Sequence, residues 1–241
     1  MNNTTAPQQT QYFIRNENTR YRIKLFRIVQ FELNSFIGRK FFNRRFKAHS
    51  QDLMLNLGGG GKPAQSKGWI NADFFPCFIG RNMFKCLRAG NRADWMLDLR
   101  YPLNCEDEIW SGIFTSHTIE HLYYDQAFCV LKEIHRTLKA GSWIRIVVPD
   151  LGKYIQYYNH RNDMPGFEQY KYGAEAIHNL TQNFMHLSVW DYDLLGAMLR
   201  EAGFQNVSMA SHSSGSDSRL LLDIQSREWE SLYVEAQKIS V

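Results

Sequence analysis

From residue 51 onward, short apolar runs alternate with segments of helical periodicity. Runs of four to eight residues that suit strands occur at Leu53–Leu57, Trp69–Asp73, Asp94–Leu97, Ile109–Ser116, Trp143–Val148, Phe204–Met209 and Ser231–Lys238. Apolar residues recur at helical spacing between residues 127 and 138 and again within Asp191–Ala202. Asp125 and Gly141 are expected to begin and end the first of these helices, and Gly203 to end the second. The alternation predicts an α/β domain.

The first strand runs directly into four consecutive glycines, Gly58 to Gly61. Glycine lets the backbone turn sharply and lets a ligand approach without meeting a Cβ. Doubly wound folds bind nucleotides where a strand meets such a turn, at the carboxyl edge of a parallel sheet. A Walker phosphate loop is excluded, because Asn56 stands where that motif needs glycine and Pro63 where it needs Ser or Thr.

The second predicted strand ends in an acid, Asp73, about 15 residues after Gly58. A carboxylate at this point can accept hydrogen bonds from both hydroxyls of a ribose. Taken alone, Asp73 would be interpreted as a solvated loop acid. Together with the glycine turn it favours a nucleoside-containing ligand.

Three chemically competent side chains, His117, Glu120 and His121, follow the fourth predicted strand. In a helical turn, positions i, i+3 and i+4 share one face. We expect these three residues to be catalytic, with an imidazole as general base. They could also bind a divalent metal with His186 as a fourth ligand, although a metal is not expected. The remaining alternative is a hydrogen-bonded cluster that supports a pocket.

The amino-terminal segment differs from the rest in charge. Residues 1–50 contain ten Lys/Arg and two Asp/Glu, a net charge of +8, whereas the remainder contains 18 and 22, a net charge of −4. Residues 1–11 are polar and predicted to be disordered. Residues 19–47 interleave basic and apolar residues, which predicts one or two amphipathic helices. These helices either pack on the domain or contact an anionic surface such as a membrane face; nucleic acid is the less favoured partner.

The predicted organisation is a basic extension, residues 1–50, followed by a domain at 51–241. Within the domain, residues 152–190 interrupt the alternation and are rich in aromatics, which indicates a lid, a substrate-binding insertion or an extra helical layer. The four cysteines form no C-x-x-C pair, and neither a signal peptide nor an apolar run of membrane-spanning length is evident. A cytoplasmic location is expected, with peripheral contact at the inner face of the membrane as an option.

The ordered signals together resemble class I S-adenosylmethionine-dependent methyltransferases. They are LNLGGGG at 55–61, WINAD at 69–73, DLRYPL at 98–103, SHTIEHL at 116–122, LKEIHRTLKAGSWIRIVVPDL at 131–151 and LLGAMLREAGF at 194–204. The chain looks closest to predicted bacterial methyltransferases associated with surface polysaccharide synthesis. The resemblance implies a Rossmann-like, doubly wound sheet of seven strands with the last strand antiparallel, and S-adenosylmethionine as cofactor.

The resemblance also implies a set of cofactor-binding residues: Asn56, Gly58, Gly60, Asp73, Phe74, Asp98, Leu99 and Ser116. The two glycines would lie against the amino-acid end of the cofactor, Asp73 would hold the ribose, and Asp98 would accept from the adenine amino group. Asn56 departs from the acid found in many members. The implied reaction is O-methylation of a saccharide or glycan precursor. Alternatives are another small molecule, RNA, or a non-catalytic scaffold that keeps the fold.

Overall fold

A computed structural model describes residues 25–43, 45–59, 64–74, 93–161 and 164–240. The strands are β1 Leu53–Leu57, β2 Trp69–Asp73, β3 Trp95–Met96, β4 Trp110–Ser116, β5 Trp143–Pro149, β6 Gln205–Ala210 and β7 Ser231–Gln237. The α-helices are α1 Leu25–Ile37, α2 Tyr124–Thr137, α3 Leu151–Tyr158, α4 Gly173–Gln182 and α5 Tyr192–Glu201. A π-helical turn, Gly38–Phe42, extends α1, and short 3₁₀ turns occupy Ile119–His121, Pro165–Gln169, Asn183–Met185, Ser218–Leu220 and Gln225–Arg227.

The seven strands form one sheet in the order β3-β2-β1-β4-β5-β7-β6. Strands β1 to β5 pair in parallel, and β7 lies antiparallel between β5 and β6. The predicted Rossmann-like sheet with an antiparallel last strand is therefore confirmed. Because the strand order reverses between β1 and β4, a crevice opens at their carboxyl ends, where open α/β sheets bind ligands.

The strand boundaries agree with the sequence patterns because the central strands are buried on both faces. All five residues of β1 are buried, and a continuous apolar run is the signature of such a strand. Its register places Leu55 beside Ile70 of β2 and Ile113 of β4, and all three side chains belong to the core. Each of these side chains contributes about 1.5–3 kcal/mol through its removal from water.

Both helices predicted in the domain form, but only one of their starts, that of α5, was predicted correctly. Asp191 caps α5 by accepting from the Leu194 N–H at 2.9 Å, and Gly203 follows the helix at φ +104°. For α2 the expected cap is wrong. The helix begins two residues earlier than that cap implies, with Tyr123 at the cap position and Asp125 in its first turn. Its expected end is also wrong, because the helix ends at Thr137 with Leu138 as its C-cap, before Gly141.

Part of the basic extension forms helix α1, which lies against the sheet edge near β3. Phe46, beyond the helix, packs its ring on Trp95 and Trp110 at centroid distances of 5.4 and 5.0 Å. Residues 1–24 and 75–92, which include the polar start and the first residues of the predicted amphipathic segment 19–47, lie outside the described residues. Among those described, no helix combines the length and apolar character needed to cross a membrane.

The aromatic segment forms a helical layer with its own small core. Helices α3 and α4 pack together around Tyr154, Phe167 and Leu180, and Trp229 joins this cluster. The chain then returns to the sheet: the Leu187 and Ser188 N–H groups both donate to the Glu120 carbonyl, at 2.8 and 3.1 Å. This return places the end of the insertion beside the crevice.

Candidate active site

A cavity of about 480 Å³ lies at the carboxyl ends of β1, β2 and β4. This volume falls within the range of about 300–1,000 Å³ that is usual for small-molecule sites. The lining residues come from α1, the strand ends, the segments after β3 and β4, the start of α2 and the return of the chain after α4. They are Phe31, Leu57, Gly58, Ala72, Asp73, Phe74, Leu97, Asp98, Leu99, Arg100, His117, Thr118, His121, Leu122, Tyr123, Gln126 and Leu187.

The glycine turn forms one wall of the cavity. Gly58 has φ +80°, and a Cβ at this position would collide with the Thr118 side chain. Asn56 lies beneath the turn, where its side chain donates to Asn71 Oδ1 at 2.9 Å, and a Cβ on Gly59 would collide with it. Asn56 is buried and positions the turn instead of lining the cavity.

The acid predicted at the end of β2 lies on the cavity wall. The Phe74 N–H donates to Asp73 Oδ1 at 2.6 Å, which fixes the carboxylate at the strand end. The Phe74 ring packs on Phe31 of α1, with centroids 4.7 Å apart. An aromatic pair therefore stands beside a carboxylate, as a nucleoside site requires: a surface for a base and an acceptor for ribose hydroxyls.

Asp98 also lines the cavity, but protein donors already engage both of its oxygens. Ser35 of α1 donates to Oδ2 at 2.5 Å, and the Arg100 guanidinium donates to Oδ1 and Oδ2 at 3.0 and 2.7 Å. Burial raises the pKa of Asp98, yet these donors outweigh it and hold the pKa below its ordinary value. Its expected bond to an adenine amino group stays a prediction; what the geometry provides is an anchor for α1.

His117 has an unusual backbone for a non-glycine residue. Its φ is +50°, a left-handed conformation that side chains disfavour and that clusters at functional sites. Two hydrogen bonds hold His117 in this conformation: its N–H donates to the Val147 carbonyl at 2.8 Å, and its Nε2 lies 3.1 Å from Ser231 Oγ. Ser231 in turn donates to the Arg227 carbonyl at 2.7 Å. Because the Ser231 proton is used on that carbonyl, His117 Nε2 is the donor to Ser231 Oγ.

Behind His117 lies a buried carboxylate, Glu120, which is only 1% exposed. His117 Nδ1 is 3.3 Å and His186 Nε2 is 4.0 Å from Glu120 Oε1. The His121 ring meets the His186 ring edge-on, with centroids 5.1 Å apart. The structure thus gathers the three predicted catalytic residues and adds His186, from beyond α4, as the sequence suggested.

In this cluster, burial and the neighbouring imidazoles shift the pKa of Glu120 in opposite directions. Burial raises the pKa of Glu120, but the neighbouring His117 and His121 outweigh it and hold the pKa below its ordinary value. Burial also lowers the pKa of His186. The carboxylate is therefore ionised at neutral pH, and the His186 ring is neutral.

The predicted site residues are distributed unevenly around the cavity. Those among its lining residues are Gly58, Asp73, Phe74, Asp98, Leu99, His117 and His121. Asn56 and Glu120 are buried beneath the wall, and Ser116 ends β4 one residue before His117. Gly60 lies outside the described residues. Sequence reasoning missed Phe31, Ser35, Arg100 and Ser231, since nothing in their local pattern indicates a ligand site.

Comparisons with known proteins give matches in structure only. No protein-family model matches the sequence, and a search of curated proteins gives no match. A SAM-dependent methyltransferase from Archaeoglobus fulgidus is 18% identical over 94% of this chain and 99% of its own, with a TM-score of 0.46. One from Thermotoga maritima is 13% identical over 96% of both chains, with a TM-score of 0.47.

A third solved structure is phosphoethanolamine N-methyltransferase 2 of Haemonchus contortus in complex with S-adenosyl-L-methionine. It is 13% identical over 87% of this chain and 53% of its own, with a TM-score of 0.44. At such identities and TM-scores these similarities carry no argument about activity. The function proposed below therefore rests on the residues of this chain.

Proposed function

We propose that the protein is an S-adenosylmethionine-dependent methyltransferase. The observation that carries the proposal is the convergence of the glycine turn, Asp73 and Phe74 on one cavity, with His117 and His121 on another part of its wall. The first three residues suit a nucleoside and its amino-acid tail, and the imidazoles suit proton transfer. The site lies at the switch point of the sheet, where this architecture binds nucleotides.

The described residues fit the cofactor in chemistry as well as in space. Asp73 would accept the ribose hydroxyls, and the Phe31–Phe74 pair with Leu99 would cover the adenine. Gly58, with its N–H donating to the Ala72 carbonyl at 2.8 Å, would keep side chains away from the amino-acid end. When bound, S-adenosylmethionine supplies a methyl group on a sulfonium that leaves as a neutral thioether.

We propose a hydroxyl as the methyl acceptor, carried by a saccharide or glycan precursor. A hydroxyl must lose its proton as its oxygen forms the new bond to carbon, so the site needs a proton acceptor. His121 is the exposed, cavity-lining member of the imidazole cluster. Its Nδ1 faces the Met185 carbonyl at 3.4 Å, so the Nε2 nitrogen of the neutral ring can take that proton. Glu120 compensates the resulting positive charge.

Calorimetry with S-adenosylhomocysteine, the demethylated product, tests the proposal. We expect saturable binding at one site, with NAD and ATP as nucleotide controls that bind at least about tenfold more weakly, a difference of about 1.4 kcal/mol. Absence of a binding heat with both S-adenosylhomocysteine and S-adenosylmethionine would refute the proposal. Tighter binding of NAD or ATP would indicate that the protein is instead an enzyme of the same fold that uses that nucleotide.

We also propose that the basic extension contacts an anionic membrane face. Supporting this are exposed apolar side chains on and after α1, among them Val29, Phe36, Phe41 and Phe42. Exposed basic residues lie beside them, namely Lys40, Arg45 and Lys47. Such a surface is complementary to anionic lipid headgroups above an apolar layer.

Co-sedimentation with vesicles tests this contact. Binding to phosphatidylglycerol-containing vesicles should exceed binding to phosphatidylcholine vesicles and fall with salt. The Phe41→Ser/Phe42→Ser variant should weaken it, whereas Met209→Ser, another exposed apolar residue, should not. Equal sedimentation with both vesicle types would refute the contact. Self-association that disappears in the Phe41→Ser/Phe42→Ser variant would assign the surface to a second copy of the chain.

A further inference from the structure

The buried carboxylate of Glu120 lacks aligned hydrogen-bond donors among the described residues. Its carboxylate is 1% exposed, and neither oxygen accepts a well-aligned hydrogen bond from the described residues. An ionised carboxylate in such a place is costly unless a cation or several donors compensate it. The nearest groups are imidazole nitrogens, at 3.3 Å for His117 and 4.0 Å for His186. Whether they compensate the charge depends on where their protons are.

The hydrogen bond of His186 shows which of its two ring nitrogens carries a proton. Its Nδ1 lies 2.7 Å from the Leu180 carbonyl. A carbonyl oxygen can only accept, so Nδ1 carries a proton. In the neutral ring, Nε2 then carries a lone pair, and this lone pair faces Glu120. Two electron-rich groups aimed at each other repel, and either a metal ion between them or a second proton on the ring relieves this repulsion.

His121 repeats the same arrangement from another direction. Its Nδ1 faces the Met185 carbonyl at 3.4 Å, which again leaves Nε2 as the acceptor of the neutral ring. Ligating histidines usually donate their other N–H to a backbone carbonyl or a carboxylate, which sets the tautomer and the orientation of the ring. Both imidazoles therefore have the outer hydrogen bonds that metal ligands use.

The spacing of the donor atoms agrees with one shared ion. One ligand atom each from Glu120, His121 and His186 lie within 4.8 Å of one another. Metal–nitrogen and metal–oxygen bonds of about 2.0–2.2 Å allow donors around one ion to be about 4 Å apart. Side-chain rotation on ion binding would have to close the remaining difference. The three residues come from two segments that the Leu187 and Ser188 bonds to the Glu120 carbonyl hold together.

We infer that Glu120, His121 and His186 form a binding site for a divalent transition-metal ion. Two imidazole nitrogens and one carboxylate oxygen favour zinc, iron, cobalt or manganese over magnesium and calcium, which prefer oxygen donors only. Three protein ligands leave further coordination positions, and His121 places them next to the cavity. Resting on the proposed function, one such position would bind the acceptor hydroxyl and lower its pKa, so that its proton is lost to solvent. In that case His121 would be a metal ligand instead of the general base.

The alternative to a metal ion is a second proton on His117, which would neutralise the negative charge of Glu120. His117 Nε2 donates towards Ser231 Oγ, as shown above, so a second proton on Nδ1 would make an imidazolium 3.3 Å from the carboxylate. This ion pair would neutralise Glu120 without a metal. The two possibilities differ in a measurable way, because only the first gives stoichiometric uptake of an ion.

Metal titration of the full chain, purified without a histidine tag and stripped with EDTA, tests the site. Calorimetry with Zn²⁺ and Mn²⁺ should show one site, and Co²⁺ should give visible absorption bands. Glu120→Gln and His186→Ala should each weaken binding by about 10- to 100-fold or more, the scale of disturbed metal sites. The control variant His178→Ala removes an exposed imidazole on α4 and should change affinity less than about twofold, within the noise of surface substitutions.

The outcomes separate this inference from the proposed function. Circular dichroism and a cooperative thermal unfolding transition of each metal-free variant establish that it is folded, independently of cofactor binding. Ion uptake without cofactor binding supports the metal site and refutes the methyltransferase. Cofactor binding with no ion uptake, or with uptake that Glu120→Gln leaves unchanged, refutes the metal site and favours the His117–Glu120 ion pair.

Discussion

Two buried carboxylates of this protein, Glu235 and Glu120, are compensated in opposite ways. They are 2% and 1% exposed. Glu235 accepts from the Arg145 guanidinium at 2.7 Å and from the Ser216 N–H at 2.7 Å. In the described part of the chain, the ionic partners of Glu120 are imidazoles, and its carboxylate accepts no aligned hydrogen bond.

The partner explains what each carboxylate is for. Arg145 is itself fully buried, and its donors are used on Asp223, Glu235 and the carbonyls of Ser211 and Ser214. A guanidinium keeps its charge at every relevant pH, so this network is permanent. Imidazoles gain or lose protons near neutral pH and can exchange a proton for a metal. The Arg145 network therefore stabilises β5 against β7, whereas the Glu120 cluster is suited to exchange.

Removing the permanent cation should have the largest effect on stability. Arg145→Leu leaves Asp223 and Glu235 buried without their counter-charge and should cost about 3–5 kcal/mol of unfolding free energy. Denaturant unfolding at neutral pH measures it. Arg219→Leu is the matched control, since this half-exposed arginine also pairs with two acids and should cost less than about 1 kcal/mol. Equal losses for both variants would contradict the assigned role of the buried network.

A carboxylate on the cavity wall should act on a ligand, in contrast to both buried ones. Asp73→Ala should weaken S-adenosylhomocysteine binding by about 1.5–3 kcal/mol, the range for hydrogen bonds that involve a charged group. Calorimetry measures this change. Asp193→Ala, an exposed acid in the first turn of α5, is the control and should leave affinity unchanged. Unaltered affinity in Asp73→Ala would remove this residue from the cofactor site.

Asp98 is an intermediate case, because its carboxylate accepts hydrogen bonds from the permanently charged Arg100 guanidinium and from one hydroxyl, that of Ser35. Ser35→Ala should cost about 1.5 kcal/mol of stability at neutral pH, since Arg100 still holds the carboxylate. The lowered pKa of Asp98 means that its stabilising contribution is present above its unfolded pKa, about 3.9, and is lost as the pH falls through the lower folded value. The cost should therefore shrink at acid pH. A pH-independent cost would show that Ser35 acts through packing alone.

The smallest effect on stability is expected at Glu120 itself. In metal-free protein, Glu120→Gln should change the unfolding free energy by less than about 1 kcal/mol, because the two side chains have nearly the same shape and no aligned hydrogen bond is broken. The same denaturant experiment measures it. A loss above about 3 kcal/mol would show that Glu120 forms a structural ion pair of the Glu235 kind.

The sequence by itself determined the sheet and one part of the site. Each strand of the sheet lies within two residues of the run that predicted it. For the central strands β1, β4 and β5 the reason is that strands buried on both faces need continuous apolar side chains. Asp191 and Gly203 delimit α5 through local hydrogen bonding and backbone conformation, which neighbouring residues encode. The glycine turn and Asp73 were recognisable because each follows or ends a predicted strand, where a doubly wound sheet binds nucleotides.

The tertiary structure decided which distant groups meet. Ser35 reaches Asp98 across 63 residues, and Ser231 reaches His117 across 114. Local patterns carry no record of such contacts, since one serine resembles another until the fold brings a partner to it. His186 was a candidate among eight histidines; only the return of the chain after α4 aims its lone pair at Glu120. Hydrogen-bond direction and burial, which depend on the whole packed molecule, turn these residues into a site.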